Sequence, residues 1–233
     1  MIAAMAGNAQ AAIYGVSYTA ASVINTFWQA IEISWTAWLF ERLNTNDCAS
    51  IKKRVNQLLM AFAAISATCM LFAPEIMHIL ASESYLEGIY VIPSVTAASY
   101  FSIVYVLYMK LEYYSKKTKA TMVGAILAAV VNMILNYVFI GLFGYMAAGY
   151  TTLACYIFLC IYHYWYSRKI GMRNFYDDRC IRNLSLGIIA FSIVVTCTYS
   201  SVILRYSLIV LITMIAIWKR KEILRLQRSV SNE

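Results

Sequence analysis

Apolar residues run along this chain in long blocks separated by short polar connections. A helix rises ~1.5 Å per residue, so about 20 apolar residues cross a ~30 Å hydrocarbon core. Read on that scale, the pattern predicts spans over 9–40, 55–80, 89–109, 120–142, 147–166, 184–200 and 202–218. The last two are parted only by 199–201 and by Arg205, so one re-entrant pair fits that stretch as well as two short spans. The longest polar stretches, 42–54 and 167–183, are too short to fold alone. The expected class is all-α: a polytopic membrane helix bundle of about seven transmembrane helices, forming a single transmembrane domain.

Composition supports the bilayer as solvent. Of 233 residues, 62% are hydrophobic and 13% charged, where soluble domains carry about a quarter charged residues. Residues 1–8 lack the basic start of a signal peptide, and no short-side-chain cleavage site follows. Basic residues fall in every second connection: Arg42, Lys52, Lys53 and Arg54; Lys110, Lys116, Lys117 and Lys119; Arg168, Lys169, Arg173, Arg179 and Arg182; then Lys219, Arg220, Lys221, Arg225 and Arg228. The intervening connections are nearly free of Lys and Arg. By the positive-inside rule this alternation places the N-terminus outside and the C-terminus in the cytoplasm. The net charge of +8 is then a rim that meets anionic lipid head groups. Short juxtamembrane clusters of this kind argue against a nucleic-acid partner.

The first span carries the most informative polar pattern. Tyr18, Ser22, Asn25, Gln29, Glu32 and Thr36 follow at steps of four and three, which puts them on one helix face. Lipid cannot satisfy such a stripe, so it should face a bundle interior or a water-filled cavity, with Glu32 foremost. Hydrogen bonding between helices is the plainer reading of the same stripe. Asn132 and Asn136, one turn apart behind small residues, read as helix-packing groups. His78 and His163 look isolated, as polar anchors near span ends, and most of the 19 tyrosines read as interfacial belts. The six cysteines show no C-x-x-C spacing and read as small reduced hydrophobes. No H-E-x-x-H, G-x-S-x-G or Walker pattern occurs, so no catalytic residue, metal site or cofactor is expected and the chain does not read as an enzyme.

Several stretches resemble a known family. They are Asn8-Ala9-Gln10-Ala11-Ala12-Ile13-Tyr14, Ser34-Trp35-Thr36-Ala37-Trp38-Leu39-Phe40, Phe72-Ala73-Pro74-Glu75-Ile76 and Tyr113-Tyr114-Ser115-Lys116-Lys117-Thr118-Lys119. Asn132-Met133-Ile134-Leu135-Asn136-Tyr137 and Phe143-Gly144-Tyr145-Met146-Ala147-Ala148-Gly149-Tyr150-Thr151-Thr152 follow in order. Together they are similar to the second half of polysaccharide transporters, the O-antigen and lipid-linked oligosaccharide flippases of the multidrug/oligosaccharidyl-lipid/polysaccharide exporter superfamily. The resemblance runs from about Asn8 to Tyr166 and weakens beyond Asp178. It implies one lobe of a two-lobe exporter in the bacterial cytoplasmic membrane, moving undecaprenyl-pyrophosphate-linked glycan by alternating access. A lipid-linked oligosaccharide, membrane lipids and a separate N-terminal lobe or other polysaccharide-assembly proteins are the implied partners, with no activity expected from one lobe alone. The stripe from Tyr18 to Thr36 would then be cavity wall, and Lys110 and Lys116 would attract pyrophosphate at the cytoplasmic mouth. Ala37 stands where the family often has Pro between its two Trp residues. A membrane-embedded glycan polymerase or acyltransferase, a seven-helix receptor, and a drug or lipid exporter of the same fold stay open as alternatives.

Overall fold

The computed structural model describes residues 1–218, and every element in them is helical. In chain order these are α1 (Ile2–Ala6), α2 (Asn8–Ala21), α3 (Val23–Asn44), α4 (Cys48–Leu71), α5 (Ala73–Leu80), a 3-10 segment (Glu83–Val91), α6 (Ile92–Tyr114), α7 (Thr118–Phe143), α8 (Ala147–Lys169), α9 (Asp178–Thr198) and α10 (Val202–Trp218). Four stretches are long and apolar enough to cross a membrane: Cys48–Leu71, Glu83–Tyr114, Thr118–Phe143 and Asp178–Thr198. The chain is therefore an all-α bundle with membrane-spanning helices. With 22 and 23 residues, α3 and α8 match them in length. Their composition is less apolar, because α3 carries the polar stripe with Glu41 and Arg42, and α8 is tyrosine-rich and ends in Arg168 and Lys169. The basic cluster from Lys219 to Arg228 lies outside the described residues.

The expected first and second spans are each divided, for different reasons. Over 9–40 the helix breaks at Ser22, with φ −82° and ψ 0°. Neither Pro nor Gly sits there. Instead Ser17, Thr19 and Ser22 turn their hydroxyls back onto the carbonyls of Ile13, Gly15 and Thr19, a habit that bends helices. Over 55–80 the break is at Phe72, before Pro74 in the first turn of α5. Pro74 has no N–H for the Met70 carbonyl, and the Tyr199 hydroxyl donates to that oxygen. The span placed over 89–109 runs on to Tyr114, which draws Lys110 and Glu112 into the helix.

The turns after α3, α6 and α8 share one design. In each, a left-handed residue (Asn46, Lys116 or Gly171) is followed by one whose amide donates back five residues, to Arg42, Glu112 or Ser167 respectively. These are Schellman closures, which satisfy the last helical carbonyls. They define one end of the bundle, rich in Lys and Arg; we call it the basic end. There Asp47 caps α4 by accepting from the Ser50 amide, and Asp177 caps α9 by accepting from the amides of Arg179 and Cys180.

Those caps carry a pH dependence. The Cys180 amide, with help from Asn56, the Arg179 amide and Lys52, holds the Asp177 carboxyl below its ordinary range. A depressed carboxylate stabilises the fold fully above the ordinary Asp pKa, and the contribution fades as pH falls through the lowered value. Acidification below about pH 4 should therefore lower the protection of the Arg179 and Cys180 amides relative to their intrinsic exchange rates at each pH. Asp177→Asn should keep the cap and lose that pH dependence in hydrogen-exchange mass spectrometry; an unchanged acid response would refute the assignment.

At the centre lies α6, buried along most of its length and packed by α2, α3, α4, α7, α8 and α9. Its closest partner is α8, where Gly149 meets Ser94. Small residues at such a contact let helices approach, which matters in lipid because apolar tails offer no hydrophobic drive between helices. By contrast α7 shows most of its apolar surface outward, including Ile126, Val130, Met133 and Tyr137, as a lipid-facing helix does.

Candidate functional site

The polar stripe of the first span meets α6 along a seam. Asn25 donates to the Ser99 hydroxyl at 3.3 Å and accepts from Ser102 at 3.0 Å. Two turns further toward the basic end, the Lys110 ammonium holds the Glu32 carboxylate at 2.7 Å. Thr36 donates back to the Glu32 carbonyl of its own helix and does not reach α6 through its hydroxyl. The pair is part-exposed: the side chains are 11% accessible for Lys110 and 32% for Glu32. An ion pair on one open side of a membrane bundle is free to exchange partners, whereas a sealed pair is not.

The break at Ser22 splits the predicted stripe between two helices. Tyr18 lies on α2, with its ring 5.9 Å from that of Tyr14. The Ser22 hydroxyl turns back onto the Thr19 carbonyl of α2, and the exposed Gln29 side chain makes no hydrogen bond among the described residues. Lys110 and Lys116 are not brought together. Lys110 lies buried in the seam, while Lys116 is exposed in the left-handed turn position after α6. On α7, Asn136 donates to Asn132 at 2.7 Å and accepts from the Thr151 hydroxyl of α8, so this amide pair joins the two helices.

A second, sealed pair of titratable side chains was not legible as a site. The His163 Nδ1 lies 2.7 Å from the Glu112 carboxylate, with side chains 1% and 0% exposed. Thr121 of α7 donates to the other Glu112 oxygen at 3.2 Å. His163 is thus not the isolated anchor expected from its position. Tyr105 stacks over His163 at 5.8 Å, and Gly124 leaves the room that the imidazole and Tyr162 occupy. Glu112 escapes a hydropathy reading because the apolar run ends at Met109. The signal that would have found it is spacing: Glu112 follows Tyr108 at i, i+4, on the same face of the helix.

At the opposite end, Arg205 of α10 pairs with Glu75 of α5, and Tyr206 donates to the same carboxylate at 2.8 Å. Both members lie near helix starts, and the pair ties α10 to the bundle. All six cysteines are unbridged; Cys155 and Cys160 donate to the carbonyls of Ala128 and Phe101.

Fold and site together define an all-α membrane helix bundle with an ion-paired polar seam. Compared with known proteins, the chain matches no family model, no curated protein and no solved structure.

Proposed function

We propose that this chain is one lobe of an exporter of polysaccharide or lipid-linked oligosaccharide in the bacterial cytoplasmic membrane. It moves undecaprenyl-pyrophosphate-linked glycan by alternating access, together with a second, N-terminal lobe. The ordered motifs from Asn8 to Tyr166 support the reading, and the part-exposed Glu32–Lys110 pair carries it. Alternating access needs two halves rocking about a shared site, and one lobe offers one wall. A diphosphate entering that wall competes with Glu32 for the Lys110 ammonium, a point charge suited to phosphate. Release of the substrate lets the ion pair re-form, so the unloaded cavity never holds a bare cation.

The test is transport by the full chain, purified with whatever multi-span chain accompanies it and reconstituted in liposomes with a fluorescent lipid-linked oligosaccharide. Transport by the complex should fall about tenfold or more in Glu32→Gln, with expression and helicity unchanged. Wild-type transport by that variant would overturn the role of the pair. Efficient transport by this chain alone would overturn the need for a second lobe.

A further inference from the structure

Although consecutive in sequence, α8 and α9 each lie against α6 and scarcely touch one another. The gap between them is a lateral slot of about 410 Å³, within the size range of small-molecule sites. Phe101 and Val104 of α6 form its floor, with Ile161 and Trp165 of α8 and Ile181 of α9 as walls. Trp165 is 67% exposed and Ile161 53%, so the walls are open to the surrounding lipid.

The slot is polarised along its length. Tyr108, Asp178 and Arg182 line it at the basic end, two turns or ~10 Å from Phe101. Asp178 is already neutralised, because it accepts from the Tyr108 hydroxyl at 3.2 Å and pairs with Arg168. Arg182 is exposed and makes no ion pair or side-chain hydrogen bond among the described residues. The mouth thus presents an uncompensated guanidinium. One turn deeper, the part-buried Ser185 lines the slot.

Cation at the mouth, a hydroxyl ~4.5 Å further in and an apolar trough beyond reproduce in order the phosphate, ester and acyl chain of a glycerophospholipid. We propose that this slot is a binding site for one anionic glycerophospholipid, with its phosphate on Arg182, an ester carbonyl at Ser185 and one acyl chain along Phe101, Ile161 and Trp165. A guanidinium suits the phosphate because it offers paired donors in one plane. The site is independent of the exporter reading: Phe101, Val104 and Tyr108 lie on the side of α6 opposite Ser99, Ser102 and Lys110.

The test uses the full chain, delipidated in detergent and titrated with brominated lipids that quench tryptophan on contact. Phosphatidylglycerol should bind about fivefold more tightly than phosphatidylcholine, and Arg182→Gln should abolish that preference. Arg182→Lys should keep most of it, and Lys169→Gln, on the exposed face of α8, should leave it intact. Equal binding of the two lipids would overturn the proposal, as would an equal loss in Lys169→Gln, which would mark general attraction to a basic rim. Inorganic phosphate at millimolar concentration should not displace the lipid; displacement that depends on Arg182 would make this a free-anion site instead.

Discussion

Removing either member of the Glu112–His163 pair should cost about 3–5 kcal/mol, the largest loss expected from a single substitution in the bundle. Both groups are sealed from solvent at the junction of α6, α7 and α8. Glu112→Ala leaves a buried imidazole without its partner and strands the Thr121 hydroxyl. His163→Leu leaves a buried carboxyl with only that hydroxyl. The loss comes from orphaning a polar group rather than from the worth of the bond, so removing both partners should be far milder. Glu112→Met with His163→Leu keeps the volume apolar and should recover most of the stability. Thr121 can then turn to a carbonyl of its own helix. Reversible unfolding in mixed micelles with increasing dodecyl sulfate, followed by circular dichroism, reads all three variants. His78→Ala, on an exposed side chain at the end of α5, is the control that should change nothing. Equal losses in the single and double variants would show that the pair is held by shape rather than charge.

The same pair shows where a hydropathy reading stops. Span existence was legible because apolar blocks of membrane length leave few other structures open to the chain. The α3 stripe was legible too, since steps of three and four fix a shared face whatever the neighbours do. Which neighbour that face meets was not: Ser99 and Ser102 look like ordinary small residues within an apolar helix, and only packing puts them opposite Asn25. The break at Ser22 was hidden for a similar reason, because hydroxyl back-bonding bends a helix without the Pro or Gly that announces a bend. Tyrosines divide by the same logic. Tyr100, Tyr108 and Tyr176 are buried in the core, and the Tyr176 hydroxyl donates to the Leu107 carbonyl, pinning the α8–α9 connection onto α6. An amphipathic ring near a span end reads as a belt residue until the fold shows a partner for its hydroxyl.

Close packing of α6 on α8 makes Gly149 the second sensitive point. A Cβ at this position would fall 2.3 Å from the Ser94 Oγ, with Val95 Cγ2 at 3.4 Å and Ser94 Cβ at 3.5 Å. The last two are ordinary or slightly tight contacts, so the hydroxyl oxygen alone forbids a methyl group. That oxygen has little freedom, because it donates to the Val91 carbonyl at 2.9 Å in the first turn of α6. Gly149→Ala must either push the hydroxyl off that carbonyl or part the two helices, at about 1–3 kcal/mol. Ser94→Ala removes the obstructing atom, so the double variant should regain most of the loss in the same unfolding assay. Gly187→Ala on α9 separates packing from backbone effects. No atom lies within 4 Å of its Cβ position, and the change should stabilise by roughly 0.5–1 kcal/mol. If Gly149→Ala proved as harmless as Gly187→Ala, the α6–α8 contact would be looser than these distances allow. If Ser94→Ala failed to rescue it, the strain would lie in the backbone, and the small-residue account of this contact would have to be given up.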